Sequence, residues 1–234
     1  MANTKQDEEE ILDNLLSEIP LSDVASVQIP SGAKVALKPI TFEEEKLLIN
    51  SSKTSSNPLD MLISKCVSVE NDEELLFIDK VYLLFKLRQI SFGNEYRFKI
   101  PCPSCGADDS YSVMIDEIPV VTLESTDPVE VTLPMCKKKA VIRLATMADE
   151  KYIGTGMGVL DNAWRFVNSV EGHDSKKIIS KFIPKLPAGD VNKIISTFMC
   201  RGYGLQTEVG ISCKACGSNN IIDLPLTKDF FTMS

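Results

Sequence analysis

The spacing of apolar residues divides the chain into short helices and strands. The first periodic run is Asp7 to Ile19, where Ile11, Leu12, Leu15, Leu16 and Ile19 fall on one helical face before Pro20 ends it. A short amphipathic helix of this kind docks either on the body of its own chain or on another protein, and both readings stand. Val27 to Gly32 and Lys34 to Ile40 then predict a β-hairpin turning at Ser31-Gly32. Thr41-Phe42-Glu43-Glu44 is a T-x-x-E capping box, so a helix starts there and runs towards Asn50. Ser51 to Asn57 is polar and Ser-rich, hence a loop. Leu59 to Val67 predicts a second helix with Cys66 on its buried side, and Ile78 to Ile90 a third. Gly93 breaks that pattern. Tyr96 to Ile100 alternates as a strand, Cys102-Pro103-Ser104-Cys105-Gly106 turns, and Tyr111 to Ile115 returns.

The second half follows the same plan. Val129 to Leu133 and Lys139 to Leu144 predict a hairpin around Lys137-Lys138-Lys139, and Thr146 to Asp149 caps a helix as Thr41 does. Ile178 to Phe182 and Val191 to Cys200 are helical, separated by Pro184-Lys185-Leu186-Pro187. Tyr203-Gly204 stands where Phe92-Gly93 stood. Val209 to Ile211 leads to Cys213-Lys214-Ala215-Cys216-Gly217, and Asn220 to Leu224 returns. Thr41 and Thr146 are 105 positions apart, while Gly93 and Gly204, and Cys102 and Cys213, are each 111 apart. One insertion of six residues reconciles the halves. The fold class expected is therefore α+β, with a helix and linker over 1–26, a first half over 27–126 and a second over 127–234.

The two Cys-x-x-Cys-Gly motifs carry the chemistry. Two residues between thiols let both sulfurs face one metal across a tight turn, and the following glycine relieves strain where the backbone turns back. Each knuckle offers two ligands, and structural zinc takes four in a tetrahedron. Cys102, Cys105, Cys213 and Cys216 are thus the candidate ligands of one Zn²⁺, in a zinc-ribbon-like site that the two halves must meet to close. A metal-free remnant of such a site is one competing reading, and a redox Cys-x-x-Cys is the other. It belongs at the start of a helix after a buried strand, whereas both pairs here sit between strands. Cys66, Cys136 and Cys200 lie in apolar settings and read as buried or inert thiols.

Composition narrows the functional classes. The 33 acidic and 25 basic residues give a net charge of −8, which counts against nucleic acid as the main partner, and Lys137 to Lys139 reads as a solvated turn. No run approaches the ~20 apolar residues of a membrane span. The polar, acidic N-terminus is unlike a signal peptide, so a reducing cytosol is expected, where cysteines serve as ligands or buried thiols. His173, the single histidine, sits in a polar loop, and Gly154-Thr155-Gly156-Met157-Gly158 reads as a helix break with no phosphate-binding ending. No nucleophile, acid–base or cofactor motif is present. A four-thiolate zinc also leaves no position open for water or substrate.

Ile29-Pro30-Ser31-Gly32, the run Pro39 to Lys46, and Phe85-Lys86-Leu87-Arg88 leading through Phe92-Gly93-Asn94-Glu95-Tyr96 to Cys102-Pro103-Ser104-Cys105-Gly106 resemble the baseplate hub assembly proteins of T-even-type tailed bacteriophages. The likeness is strongest over 27–118 and continues through the second half more in the order of elements than in the letters. It implies a late viral protein that helps build the central hub of a contractile-tail baseplate, in the host bacterial cytoplasm or within the particle. Its partners would be other hub proteins. The resemblance brings no catalytic residues. A nucleic-acid-binding zinc ribbon and, behind it, a thiol oxidoreductase are the alternatives. The first would need a basic face beside the knuckles, where Arg97, Lys99, Arg201 and Lys214 are diluted by Asp108, Asp109 and Asp116.

Overall fold

A computed structural model describes residues 9–15, 25–50, 58–69, 74–153, 157–226 and 228–231. The expected Ser51 to Asn57 loop, the glycines at 154 and 156, and the helix ends at 7–8 and 16–20 lie outside the described residues. Residues 9–15 form helix α1, with Ile11, Leu12 and Leu15 exposed.

Two three-stranded antiparallel sheets organise the body. In the first, β1 (Ala25–Gln28) pairs with β2 (Lys34–Leu37), which pairs with β3 (Val67–Val69). The Ile29–Gly32 turn places Gly32 at φ 94°, a left-handed value that costs a glycine nothing. Helices α2 (Phe42–Asn50) and α3 (Pro58–Cys66) bridge β2 to β3. The capping box at the start of α2 forms: Glu44 accepts from the Thr41 N–H at 3.0 Å and from its hydroxyl. Cys66 is buried at the end of α3, as expected. The apolar pattern extends that helix to Val67, but the chain turns at Cys66 into the Val-Ser-Val alternation of β3.

Helix α4 (Phe77–Phe92) follows, burying Leu83, Leu84, Phe85 and Leu87, and stops at Gly93, φ 94°. Next come the ribbon β4 (Glu95–Pro101) and β5 (Asp108–Met114), and the short strand β6 (Val120–Val121).

In the second sheet, β7 (Val129–Thr132) pairs with β8 (Lys139–Ile142), which pairs with β9 (Val167–Val170). Between β8 and β9 the Thr146 cap opens a 3₁₀ turn and the short helices α5 (Glu150–Ile153) and α6 (Met157–Asn162). The proline run forms a 3₁₀ turn, Ile183–Lys185, between α7 (Lys176–Phe182) and α8 (Ala188–Phe198). Helix α8 starts earlier than the apolar period suggested, because Pro187 already has the extended backbone of an N-cap. Then β10 (Gly204–Leu205) pairs with β6, and β11 (Glu208–Ser212) forms a second ribbon with β12 (Asn219–Asp223).

Buried side chains form one large cluster around each sheet. The C-terminal segment crosses over: Leu224, Phe230 and Phe231 pack in the first cluster. There the Phe230 ring lies 4.7 Å from Phe85 and 4.8 Å from Tyr96, and the Tyr96 hydroxyl donates to the Pro225 carbonyl at 2.6 Å. Leu75 to Phe77 runs beside Ala145 to Met147, with N–H···O bonds of 2.8 and 2.9 Å, and Lys80 meets Glu150 at 2.5 Å. Among the described residues no helix is long and apolar enough to cross a membrane.

Candidate metal centre

Each ribbon ends in a tight turn of one design. The Cys102 N–H donates to the Ala107 carbonyl at 2.9 Å and the Gly106 N–H to the Cys102 carbonyl at 2.8 Å. In the second ribbon, Cys213 bonds Ser218 at 3.0 Å and Gly217 bonds Cys213 at 2.8 Å. Gly106 and Gly217 have φ of 74° and 71°, a conformation in which a Cβ would be strained. This left-handed residue folds the chain back and leaves both cysteines of a turn on the same side.

The turns face one another. The four Sγ atoms of Cys102, Cys105, Cys213 and Cys216 all lie within 4.8 Å of each other. The close approaches run between ribbons, Cys102 to Cys216 at 3.9 Å and Cys105 to Cys213 at 3.8 Å. A tetrahedral Zn²⁺ with bonds of about 2.3 Å needs sulfurs about 3.8 Å apart, so the donor set fits that ion in type, number and spacing. All seven cysteines are free thiols, none in a disulfide. Each ribbon supplies one buried thiol, Cys102 or Cys213, and one exposed, Cys105 or Cys216.

Neighbouring groups surround the sulfurs, and those of Asn220 reach across from one ribbon to the other. The Asn220 amide donates to the Cys102 sulfur at 3.6 Å, the Ser218 hydroxyl lies 3.0 Å from the Cys216 sulfur, and the Ser104 hydroxyl donates to Asn220 at 2.9 Å. Lys214 of one turn pairs with Asp109 of the other at 3.1 Å, across the surface.

The thiols are electrostatically unequal. The backbone N–H of Cys105 pulls the Cys102 thiol down to about 6, and Ser218 lowers Cys216. At Cys105 the Ala107 N–H favours the thiolate, but the sulfurs of Cys216, Cys102 and Cys213, together with desolvation, push it up to about 12. Four thiolates this close repel one another without a cation, and a bound metal ion would hold all four ionised.

The remaining thiols are elsewhere. Burial raises Cys66 and Cys200 to about 11, a protonated and unreactive state. Cys136 is half-buried in the β7–β8 turn. That turn is the expected lysine hairpin, with a defined internal geometry. The Leu133 N–H bonds Lys138 at 2.9 Å, the Lys137 N–H bonds Leu133 at 3.0 Å, and Lys137 has φ 59°. Leu133-Pro134-Met135-Cys136-Lys137 therefore has the bond pattern of the cysteine turns, with the Asp190 carboxylate accepting from the N–H groups of Met135 (2.6 Å) and Cys136 (3.0 Å). The Leu-Pro-x-Cys-Lys letters beside Cys-Pro-x-Cys-Gly were the available signal. His173 is exposed in its loop, where its backbone pairs with Val170.

The site is assembled from two ribbons 111 positions apart, and the comparison with known families covers both of them and most of the chain around them. No curated protein and no solved structure matches the chain. The model of a family described as T4 bacteriophage base plate protein matches residues 22–232, from just before β1 to the aromatic segment that closes the first core, and the chain belongs to that family.

Proposed function

We propose that this baseplate protein is a non-enzymatic assembly factor of the central hub, working in the host cytoplasm through contacts with other hub proteins. In this reading Cys102, Cys105, Cys213 and Cys216 hold one structural Zn²⁺. The ion clasps two similar halves, 27–126 and 127–234, of which the second lends its C-terminal aromatic segment to the first core. The observation that carries the clasp is the meeting of the four sulfurs within 4.8 Å, drawn from two ribbons of one design. The family match supports the baseplate setting. The similarity of the halves is supported by the repeated order of sheet, cap, helix, left-handed glycine and ribbon. A zinc fully coordinated by thiolates supplies no Lewis acid to a substrate. Its contribution is to folding, since binding free energy becomes folding free energy when the ligands come from distant segments.

The test is to purify the full chain from infected cells without chelator, measure its zinc and identify what accompanies it. One zinc per chain with other baseplate proteins attached is expected. Two zincs, or none with the fold intact, would defeat the shared site, and co-purifying nucleic acid in place of baseplate proteins would defeat the assembly role.

A further inference from the structure

Charge is separated along the chain. Residues 1–126 carry 11 basic and 22 acidic side chains, whereas residues 127–234 carry 14 and 11. The acidic excess is densest at the start, with Asp7, Glu8, Glu9, Glu10 and Asp13. Both extremes of this distribution adjoin exposed apolar surface.

On α1, Ile11, Leu12 and Leu15 are 59%, 54% and 58% exposed, and their spacing sets them on one face. Glu9, Glu10 and Asp13, also exposed, occupy the rest of the circumference. In the second half, Val170, Ile178, Ile179 and Phe182 line a pocket of about 200 Å³ whose rim includes Lys138 and Glu171. Glu171 is engaged with the Lys139 backbone N–H at 2.7 Å. Lys138 and His173 also line the pocket. In sequence, exposed Lys137 adjoins Lys138, exposed Lys177 and Lys181 adjoin Ile178 and Phe182 on α7, and exposed Asp174 adjoins His173, while Ile178 is 57% exposed.

We propose that the acidic apolar helix α1 of one copy docks in this pocket of a second copy, beside the lysines of the β7–β8 turn and of α7. The helix offers apolar anchors flanked by carboxylates, and the pocket offers apolar walls flanked by ammonium groups, so the two are complementary in both respects. Within one chain, residues 9–15 are all exposed, so the chain's own helix is not seated in the pocket, and the same helix of another copy is the occupant of matching chemistry. The contact is heterologous, helix to pocket, and therefore propagates from copy to copy until a ring closes or a filament grows. Opposite charges speed the encounter and make it sensitive to salt.

Sedimentation velocity on the full chain tests this across concentration and salt. Reversible association that weakens with salt is expected, and Leu12→Asp or Ile178→Asp should each weaken it about tenfold or more. Both side chains are exposed, so circular dichroism should be unchanged. The decisive arm uses two charge-reversed proteins, one carrying Glu9→Lys, Glu10→Lys and Asp13→Lys, the other Lys138→Glu, Lys177→Glu and Lys181→Glu. Each alone should stay monomeric, and their mixture should associate, because each then meets an opposite charge on the other. A chain that is monomeric at every concentration would overturn the proposal. So would association indifferent to both sets of changes, or capture of a different protein by these surfaces while the chain itself stays monomeric.

Discussion

Asp79 and Asp190, 111 positions apart, occupy the third position of α4 and of α8, and each holds a β-hairpin turn through its backbone N–H groups. Asp79 accepts from Ser31 at 3.0 Å and from Leu76, at the head of its own helix, at 3.0 Å. Asp190 accepts from Met135 and Cys136. Both side chains are fully buried. A helix N-terminus tolerates a carboxylate well, because the free N–H groups of the first turn partly compensate its charge. Each aspartate therefore joins a hairpin to the helix that packs on its sheet.

Removing either carboxylate strands two N–H groups, buried at Leu76 and part-buried at Ser31, Met135 and Cys136. Asp190→Ala and Asp79→Ala should each lower stability by about 1–3 kcal/mol, the cost of leaving buried donors unsatisfied. Urea midpoints compared with an exposed control such as Asp127→Ala would measure it. A loss no greater than the control's would show that the turns hold without these contacts.

Lys137 pays for its left-handed backbone, whereas Gly106 and Gly217 adopt the same conformation freely. Lys137→Gly should stabilise the protein by about 0.5–1 kcal/mol, since relief of about 1–2 kcal/mol of strain exceeds the added chain entropy of glycine, about 0.5–1 kcal/mol. A thermal or urea midpoint that falls would contradict the left-handed turn.

Acid should weaken the fold through its capping carboxylates. Burial works against ionised Asp149, but hydrogen bonds from Arg143 at 2.6 and 2.9 Å and from Thr146 outweigh it and leave its pKa below the ordinary value. At Glu44 burial is likewise outweighed, there by Thr41. A folded pKa below the unfolded one means stability that is complete above about pH 4, the unfolded carboxylate value, and is lost as pH falls through the folded pKa. Asp149→Asn should be less stable than the parent at neutral pH and show a shallower decline in unfolding midpoint on acidification. Parallel curves would remove Asp149 from the acid response.

Local signals in the sequence reported local structure well. The T-x-x-E box at Thr41, the cap at Thr146, the stop at Gly93 and both cysteine turns are set by residues within a few positions of one another. Strands β3, β6, β9 and β10 escaped notice because, unlike the equally short β1–β2 and β7–β8, no turn joins them to the strand they pair with, and they exist through pairing with distant segments. Asp79 and Asp190 reach partners 48 and 55 positions away, so they read as ordinary acidic first-turn residues. Phe230 and Phe231 gave an apolar pair at the C-terminus without any indication that it closes the core around Phe85 and Tyr96. At the candidate metal centre the four cysteines that meet were legible, whereas the supports from Asn220 and Ser218 depend on how the ribbons face each other.

The shared clasp is tested most directly by Cys102→Ser, Cys213→Ser and the double variant, compared in urea unfolding with zinc content measured on the same samples. Each single change removes one of four ligands from the same ion, so both should lose zinc and suffer similar losses of stability despite lying 111 positions apart. The double variant should be little worse than either single one, because coupled ligands act as a unit. Losses that add, or a severe effect from one turn and none from the other, would mean that the two cysteine pairs serve separate sites.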